Sequence, residues 1–217
     1  MSREHEILDA LYEHTLDGEA QPVVALTKEG LALGMDPNTL LFEAMIPALE
    51  EVGRLFEIGE YFVPEMLISA RAMSGAMEIL RPLIAQTGAK PIGTFVMGTV
   101  KGDIHDIGKN LCNTMLEGAG FVVVDLGVNV PPEAFVEAIK THQPQAVGMS
   151  AFLTTTMPMF KTNIQAISEA GLRDQVKILV GGAPVTQEYC DTVGADGYAP
   201  DANSCVRLTK QLMGVAA

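Results

Sequence analysis

Up to about residue 90 the apolar positions recur with a helical period. Ile7, Leu8, Leu11 and Tyr12 follow the i, i+1, i+4, i+5 spacing of one helix face. A second helix is expected over residues 20–33, closed by Gly34. Asp36-Pro37 reads as an N-cap followed by proline at the first helical position, opening a third helix that runs to about Phe56. Glu57-Ile58-Gly59-Glu60 reads as a turn, and Pro64 opens a fourth helix that ends near Ala85. Four helices joined by short loops predict a small bundle over residues 1–88.

Beyond Gly88-Ala89-Lys90-Pro91 the pattern changes. Short apolar runs at 92–98, 121–126, 146–150 and 176–180, with a weak one at 196–198, read as strands. Helical segments at 107–117, 132–141, 157–170, 187–193 and 201–213 separate or follow them. Such alternation predicts a five-stranded parallel sheet covered on both faces by helices, over residues 91–217. Open parallel sheets bind ligands beyond the carboxyl ends of their strands. Residues 99–108, 150–156 and 181–184 are therefore the segments to read for chemistry.

Composition adds exclusions. The chain has 217 residues, 48% apolar and 19% charged, enough to build a core in one large or two small domains. With 27 acidic against 14 basic residues the net charge is −13, which argues against nucleic acid and against an anionic membrane surface. Three cysteines without CxxC spacing read as reduced thiols of a cytoplasmic protein, not as a disulfide framework or a zinc site. The N-terminus lacks the apolar stretch of a signal peptide, and no apolar run approaches the ~20 residues of a membrane helix. Trp is absent, so Leu, Ile, Val, Met and Phe must fill the core. Met45, Met66, Met73 and Met77 read as packing, Cys112 as a small buried residue, and His5, His14 and His142 as surface histidines.

His105 differs from the other histidines. It lies on a ligand-side loop, Gly98-Thr-Val-Lys-Gly-Asp103-Ile-His105-Asp106-Ile-Gly108-Lys-Asn110, with a carboxylate two residues before it. A carboxylate that takes the Nδ1–H of a histidine leaves Nε2 free for a metal. The string is neither a phosphate loop nor a GxGxxG dinucleotide fingerprint. It supplies one strong metal ligand, so a metal here would arrive already held in a macrocycle. A capping aspartate and a structural histidine explain the spacing nearly as well. Lys109 and Asn110 could contact a ligand's amides or simply cap the helix.

Asp103-x-His105-x-x-Gly108, then Ser150-Ala-Phe-Leu153, then Gly181-Gly182, resembles the D-x-H-x-x-G, S-x-L, G-G signature of cobalamin-binding domains. The longer string from Gly98 to Asn110 is especially similar to that of methionine synthase and its relatives, and Gly53–Pro64 resembles their helical cap. The resemblance spans residues 5–213. Ser150-Ala-Phe-Leu153 reads as one residue longer than S-x-L, and Val63 stands where the family often has leucine.

The resemblance implies a four-helix cap followed by a Rossmann-like, flavodoxin-type domain, with cobalamin or a related corrinoid as cofactor. His105 would be the lower axial ligand of cobalt, replacing the cofactor's own dimethylbenzimidazole. Asp103 would hydrogen-bond His105, and Thr156 would complete a His–Asp–hydroxyl relay. Asp106, Ile107, Leu153 and Thr154 would neighbour the corrinoid. Ser150 would line its displaced nucleotide tail, and Gly108, Gly181 and Gly182 would make room for that tail. Phe56 and Val63 would cap the methyl face, and methyl transfer would need a domain shift hinged near residues 87–91.

The function so implied is a corrinoid protein, not catalytic by itself, that carries a methyl group as methylcobalamin through a Co(I)/Co(III) cycle. Its partners would be a substrate-specific corrinoid methyltransferase, a second methyltransferase acting on tetrahydrofolate or coenzyme M, and a reductive activation protein. The length, cap plus cobalamin domain and nothing else, favours a free-standing shuttle. A cobalamin-dependent sensor would need a basic DNA-binding helix, whereas residues 1–90 hold 15 acidic and 6 basic residues. The cobalamin subunit of a mutase would lack the methyl cap. The acidity, net −9 on residues 1–90 and −4 on the rest, reads as a solvated surface or as a docking face for basic partners.

Overall fold

The computed structural model describes residues 2–87 and 91–215, with side chains left aside at 57 and 85–87. Most of the hinge expected at 87–91 lies outside the described residues. The chain divides into two compact units, residues 1–90 with 118–120, and residues 91–117 with 121–217.

In the helical unit, α1 (Arg3–Leu16) starts at Ser2, whose hydroxyl accepts the His5 N–H. Ile7 and Leu11 are fully buried, and Leu8 and Tyr12 flank them half-buried, as one apolar face requires. α2 (Ala20–Ala32) buries Val23, Thr27 and Gly30. Asp36 caps α3 (Pro37–Leu40) by accepting the Asn38 N–H at 2.8 Å. The helix then widens into a π turn at Leu41–Met45 before continuing as α4 (Ile46–Glu57). Pro47 accounts for the widening, since it has no N–H to donate to the carbonyl four residues back. α5 (Val63–Thr87) closes the unit. Met45, Met66 and Met73 are buried and Met77 is half-buried, so all four serve packing.

The second unit is a parallel sheet in the order β2-β1-β3-β4-β5. Its strands are β1 (Thr94–Thr99), β2 (Val122–Asp125), β3 (Ala146–Ser150), β4 (Lys177–Gly181) and β5 (Gly197–Ala199). The helices α6 (Ile107–Gly118), α7 (Pro132–His142), α8 (Pro158–Glu169), α9 (Gln187–Val193) and α10 (Ala202–Leu212) alternate with them. The central strands are apolar throughout because both faces are covered. Val96, Val147, Met149, Ile178 and Val180 pack with Phe135 of α7, Phe160 of α8 and Cys190 of α9. Burying each of these aromatic rings stabilises the fold by about 1.5–3 kcal/mol. Phe95, Met97 and Leu179 alternate onto the opposite face. Cys112 on α6 is half-buried, not buried as expected, and hydrogen-bonds the buried Cys205 of α10, whose thiol is pushed up by that bond and by burial.

The order of strands decides what meets at the carboxyl edge. β1 lies between β2 and β3, in register through Met97↔Asp125 and Thr99↔Ser150. The loop leaving β1 is therefore flanked by the loops leaving β2 and β3. Among the described residues no helix is long and apolar enough to cross a membrane.

Candidate functional site

β1 ends at Thr99. Val100 then bridges to Val130, and the chain turns at Gly102, whose φ of +84° lies in the left-handed region that glycine adopts without strain. The Asp103 side chain beyond it is fully buried. One of its oxygens, Oδ1, accepts the His105 backbone N–H at 3.0 Å and lies 2.7 Å from His105 Nδ1. The other, Oδ2, accepts the Phe152 N–H at 2.7 Å, the Leu153 N–H at 3.2 Å and the Thr156 hydroxyl at 2.8 Å. Thr99 Oγ1 donates to the His105 carbonyl at 2.9 Å. Asp103 is thus the joint between the loop after β1 and the loop after β3.

Burial alone would push the Asp103 carboxyl up. The hydrogen bonds from the His105 backbone and ring, from Phe152 and from Thr156 outweigh it and hold the group well below the usual carboxylate range. An ionised carboxylate only accepts, so His105 Nδ1 carries the hydrogen, and it is the neutral imidazole that then has its lone pair at Nε2. The His105 side chain is 46% exposed, and its ring stacks on Phe152 with centroids 4.4 Å apart and planes 26° from parallel. The Thr156 hydroxyl has one proton, and both Asp103 Oδ2 and the Leu153 carbonyl lie 2.8 Å from it.

Apolar side chains surround this polar joint and face outward. Ile104 is 73% and Ile107 76% exposed, and Phe152 and Leu153 are exposed beside them. That much apolar surface on one loop edge suits a broad, flat, apolar ligand. Among the described residues no group of three or more His, Cys, Asp or Glu side chains could hold a bare metal ion. A single imidazole with a free Nε2, set among apolar residues, fits a metal that brings its other ligands in a macrocycle.

The other expected residues fall as follows. Asp106 is exposed and accepts the Asn110 side-chain amide at 3.1 Å at the start of α6. Gly108 is open, with no heavy atom within 4 Å of where a Cβ would stand. Ser150 ends β3 half-buried, and Thr154 is exposed. At Gly181 a Cβ would stand 2.9 Å from the Ala199 carbonyl oxygen, and at Gly182, φ +128°, 1.9 Å from that of Ala151. The fold itself therefore requires glycine at 182, where backbone meets backbone. In the helical unit Phe56 is half-buried in α4 and Val63 is exposed at the start of α5.

Several features escaped the sequence. Phe152, the third residue of Ser150-Ala-Phe-Leu153, stacks on the His105 ring. Lys109 is turned inward: its buried ammonium donates to Asp125 Oδ2 and Asn110 Oδ1, both at 2.6 Å. Asn129, in the loop between β2 and α7, was not singled out. Its one signal was a polar residue in Leu126-Gly-Val-Asn-Val130.

A flavodoxin-type sheet with a carboxylate-oriented histidine on its carboxyl edge defines a B12-binding protein. The B12 binding domain family model matches residues 93–206, and a second B12 binding domain model matches 7–81. The chain is 41% identical to the trimethylamine corrinoid protein of Methanosarcina barkeri, over 99% of this chain and 100% of that one. It is 39% identical to dimethylamine corrinoid protein 1 of Methanosarcina acetivorans, over 98% and 100%. Among solved structures, the methanol:cobalamin methyltransferase complex of Methanosarcina barkeri matches with a TM-score of 0.84 and 29% identity, over 98% of this chain and 81% of that chain. A cobalamin-binding protein of Desulfitobacterium hafniense matches with a TM-score of 0.78 and 30% identity, over 94% and 98%. The chain belongs to the corrinoid proteins of methyltransferase systems, and its cofactor is a corrinoid.

Proposed function

We propose that this corrinoid protein accepts its methyl group from an N-methylated amine, through a substrate-specific methyltransferase, and yields it to a second methyltransferase whose acceptor is tetrahydrofolate or coenzyme M. The donor class rests on its similarity to trimethylamine and dimethylamine corrinoid proteins over essentially the whole chain. A reductive activation protein would return the oxidised cofactor to the cycle. The bound corrinoid supplies a cobalt centre that takes up and releases methyl.

The chain's own residues orient and tune. His105 would hold the cobalt through Nε2, because Asp103 accepts the hydrogen on Nδ1. With Nε2 free, the imidazole would stay fixed through Nδ1 by the buried Asp103 carboxylate, which would also favour a positive charge on the ring. Thr156 could turn its one proton between Asp103 and the Leu153 carbonyl and so adjust to the charge on the pair. Ile104, Ile107 and Leu153 would give the ligand an apolar seat and shield it from water.

The single observation that carries the axial assignment is the 2.7 Å contact between His105 Nδ1 and Asp103. His105→Ala, loaded with cobinamide, which has no nitrogen base of its own, and reduced to Co(II), should lose the nitrogen superhyperfine splitting that the wild type shows in its paramagnetic resonance spectrum. Retention of the splitting would sink the assignment. For the donor, holoprotein incubated with extract and a panel of trimethylamine, dimethylamine, methanol and glycine betaine should be methylated from an amine. Methylation from methanol alone would overturn that choice.

A further inference from the structure

We infer that Asn129 is a positioning residue for the axial histidine, and that the β2–α7 loop braces the segment carrying His105. This rests on the axial reading of His105. Two hydrogen bonds join Asn129 to that segment. Its side-chain oxygen accepts the Gly102 N–H at 2.8 Å, and its own N–H donates to the Asp103 carbonyl at 2.9 Å. Gly102 and Asp103 immediately precede the turn that presents His105, so Asn129 holds from one side what Phe152, Leu153 and Thr156 hold from the other.

The backbone of Asn129 is adapted to the task. Its φ is +55°, in the left-handed region that asparagine enters more readily than most residues. This conformation turns both its N–H and its side chain toward the 101–103 turn. The loop is itself anchored. Thr99 N–H donates to the Gly127 carbonyl and Val130 N–H to the Thr99 carbonyl. Asp125 accepts the Gly127 N–H through Oδ1 and the buried Lys109 ammonium through Oδ2, which ties the first turn of α6 to the same loop. The 101–110 segment is thus fastened at both ends to the loop leaving β2. A ligating histidine needs such support, because the turn that carries it sets the direction of Nε2. Partners that orient a ligating histidine typically matter by 10–100-fold in metal affinity.

The test uses Asn129→Gly and Asn129→Asp in the full chain. Glycine keeps the left-handed backbone and its N–H while deleting the side-chain acceptor; aspartate restores the acceptor in a residue that tolerates the same φ. The Gly variant should keep the wild-type melting temperature of the apoprotein, and its Gly102 amide should exchange faster with deuterium. Its affinity for added hydroxocobalamin should fall about tenfold, and part of its Co(II) spectrum, recorded with cobinamide, which has no nitrogen base of its own, should lose the nitrogen splitting. The Asp variant should recover affinity and splitting. Wild-type affinity and a fully split spectrum in the Gly variant overturn the inference, as does equal loss in both variants. If His105→Ala keeps the splitting, it is the axial assignment that falls, which separates the two failures.

Discussion

Replacing Asp103 by asparagine changes one oxygen to an amide and preserves shape, so its effect can be worked from the hydrogen bonds. Five donors converge on the carboxylate at 2.7–3.2 Å. An amide retains one acceptor. With its oxygen toward Phe152, Leu153 and Thr156, its NH₂ faces the His105 backbone N–H and Nδ1. The backbone N–H then meets a donor, which costs about 1–3 kcal/mol, and the surviving bonds lose their charge assistance. A total near 3 kcal/mol lowers the melting temperature of a chain this long by about 6–12 °C. The imidazole can satisfy the amide only by accepting at Nδ1, which moves its proton to Nε2 and blocks the ligating nitrogen. Corrinoid affinity should fall by about 10–100-fold. Thermal melting of apoprotein and titration with hydroxocobalamin measure the two effects separately. The pH dependence supplies a further check. Asp103 is held low in the folded state, against about 4 when unfolded. Its stabilisation is complete above the unfolded value and is lost as pH falls through 4 toward the folded one. The stability gap between wild type and Asp103→Asn should therefore narrow as pH drops from 5 to 3. A variant that melts within a degree of wild type and binds corrinoid equally well would refute the reasoning.

Three further outcomes follow from other contacts. Gly182→Ala places a Cβ 1.9 Å from the Ala151 carbonyl oxygen at φ +128°, so it should cost at least about 3 kcal/mol in a urea titration, with the β3–β4 edge displaced. Asp125→Ala should be worse than Lys109→Met. The first leaves a buried ammonium without its counter-charge and with only the Asn110 amide oxygen, at about 3 kcal/mol, whereas the second leaves a carboxylate 41% exposed to water, at under about 1.5 kcal/mol; equal losses would mean that the ammonium is solvated. Phe152→Leu removes a stack worth about 0.5–1.5 kcal/mol from a half-exposed site. Its melting point should fall by about 1–6 °C, while the His105 ring protons lose their upfield ring-current displacement in proton magnetic resonance.

Much of this protein was legible from local order along the chain. Helical period up to residue 90 and apolar runs separated by helices beyond it determined a bundle and a parallel sheet, because periodicity reports which side of an element meets a core. The Asp103-x-His105 pair was legible for a similar reason, since two residues of turn let a carboxylate reach the imidazole edge. Patterns of this kind are silent about neighbours across the sheet. Two of the five donors on Asp103 come from His105, but the others come from 152, 153 and 156, some fifty positions away. Phe152 and Asn129 reach the same turn from opposite flanks. Only the strand order β2-β1-β3 brings those flanks together, and that order is a product of sheet packing and crossover handedness rather than of any local spacing. The sequence by itself named the histidine and its carboxylate; the tertiary structure decided what holds them still.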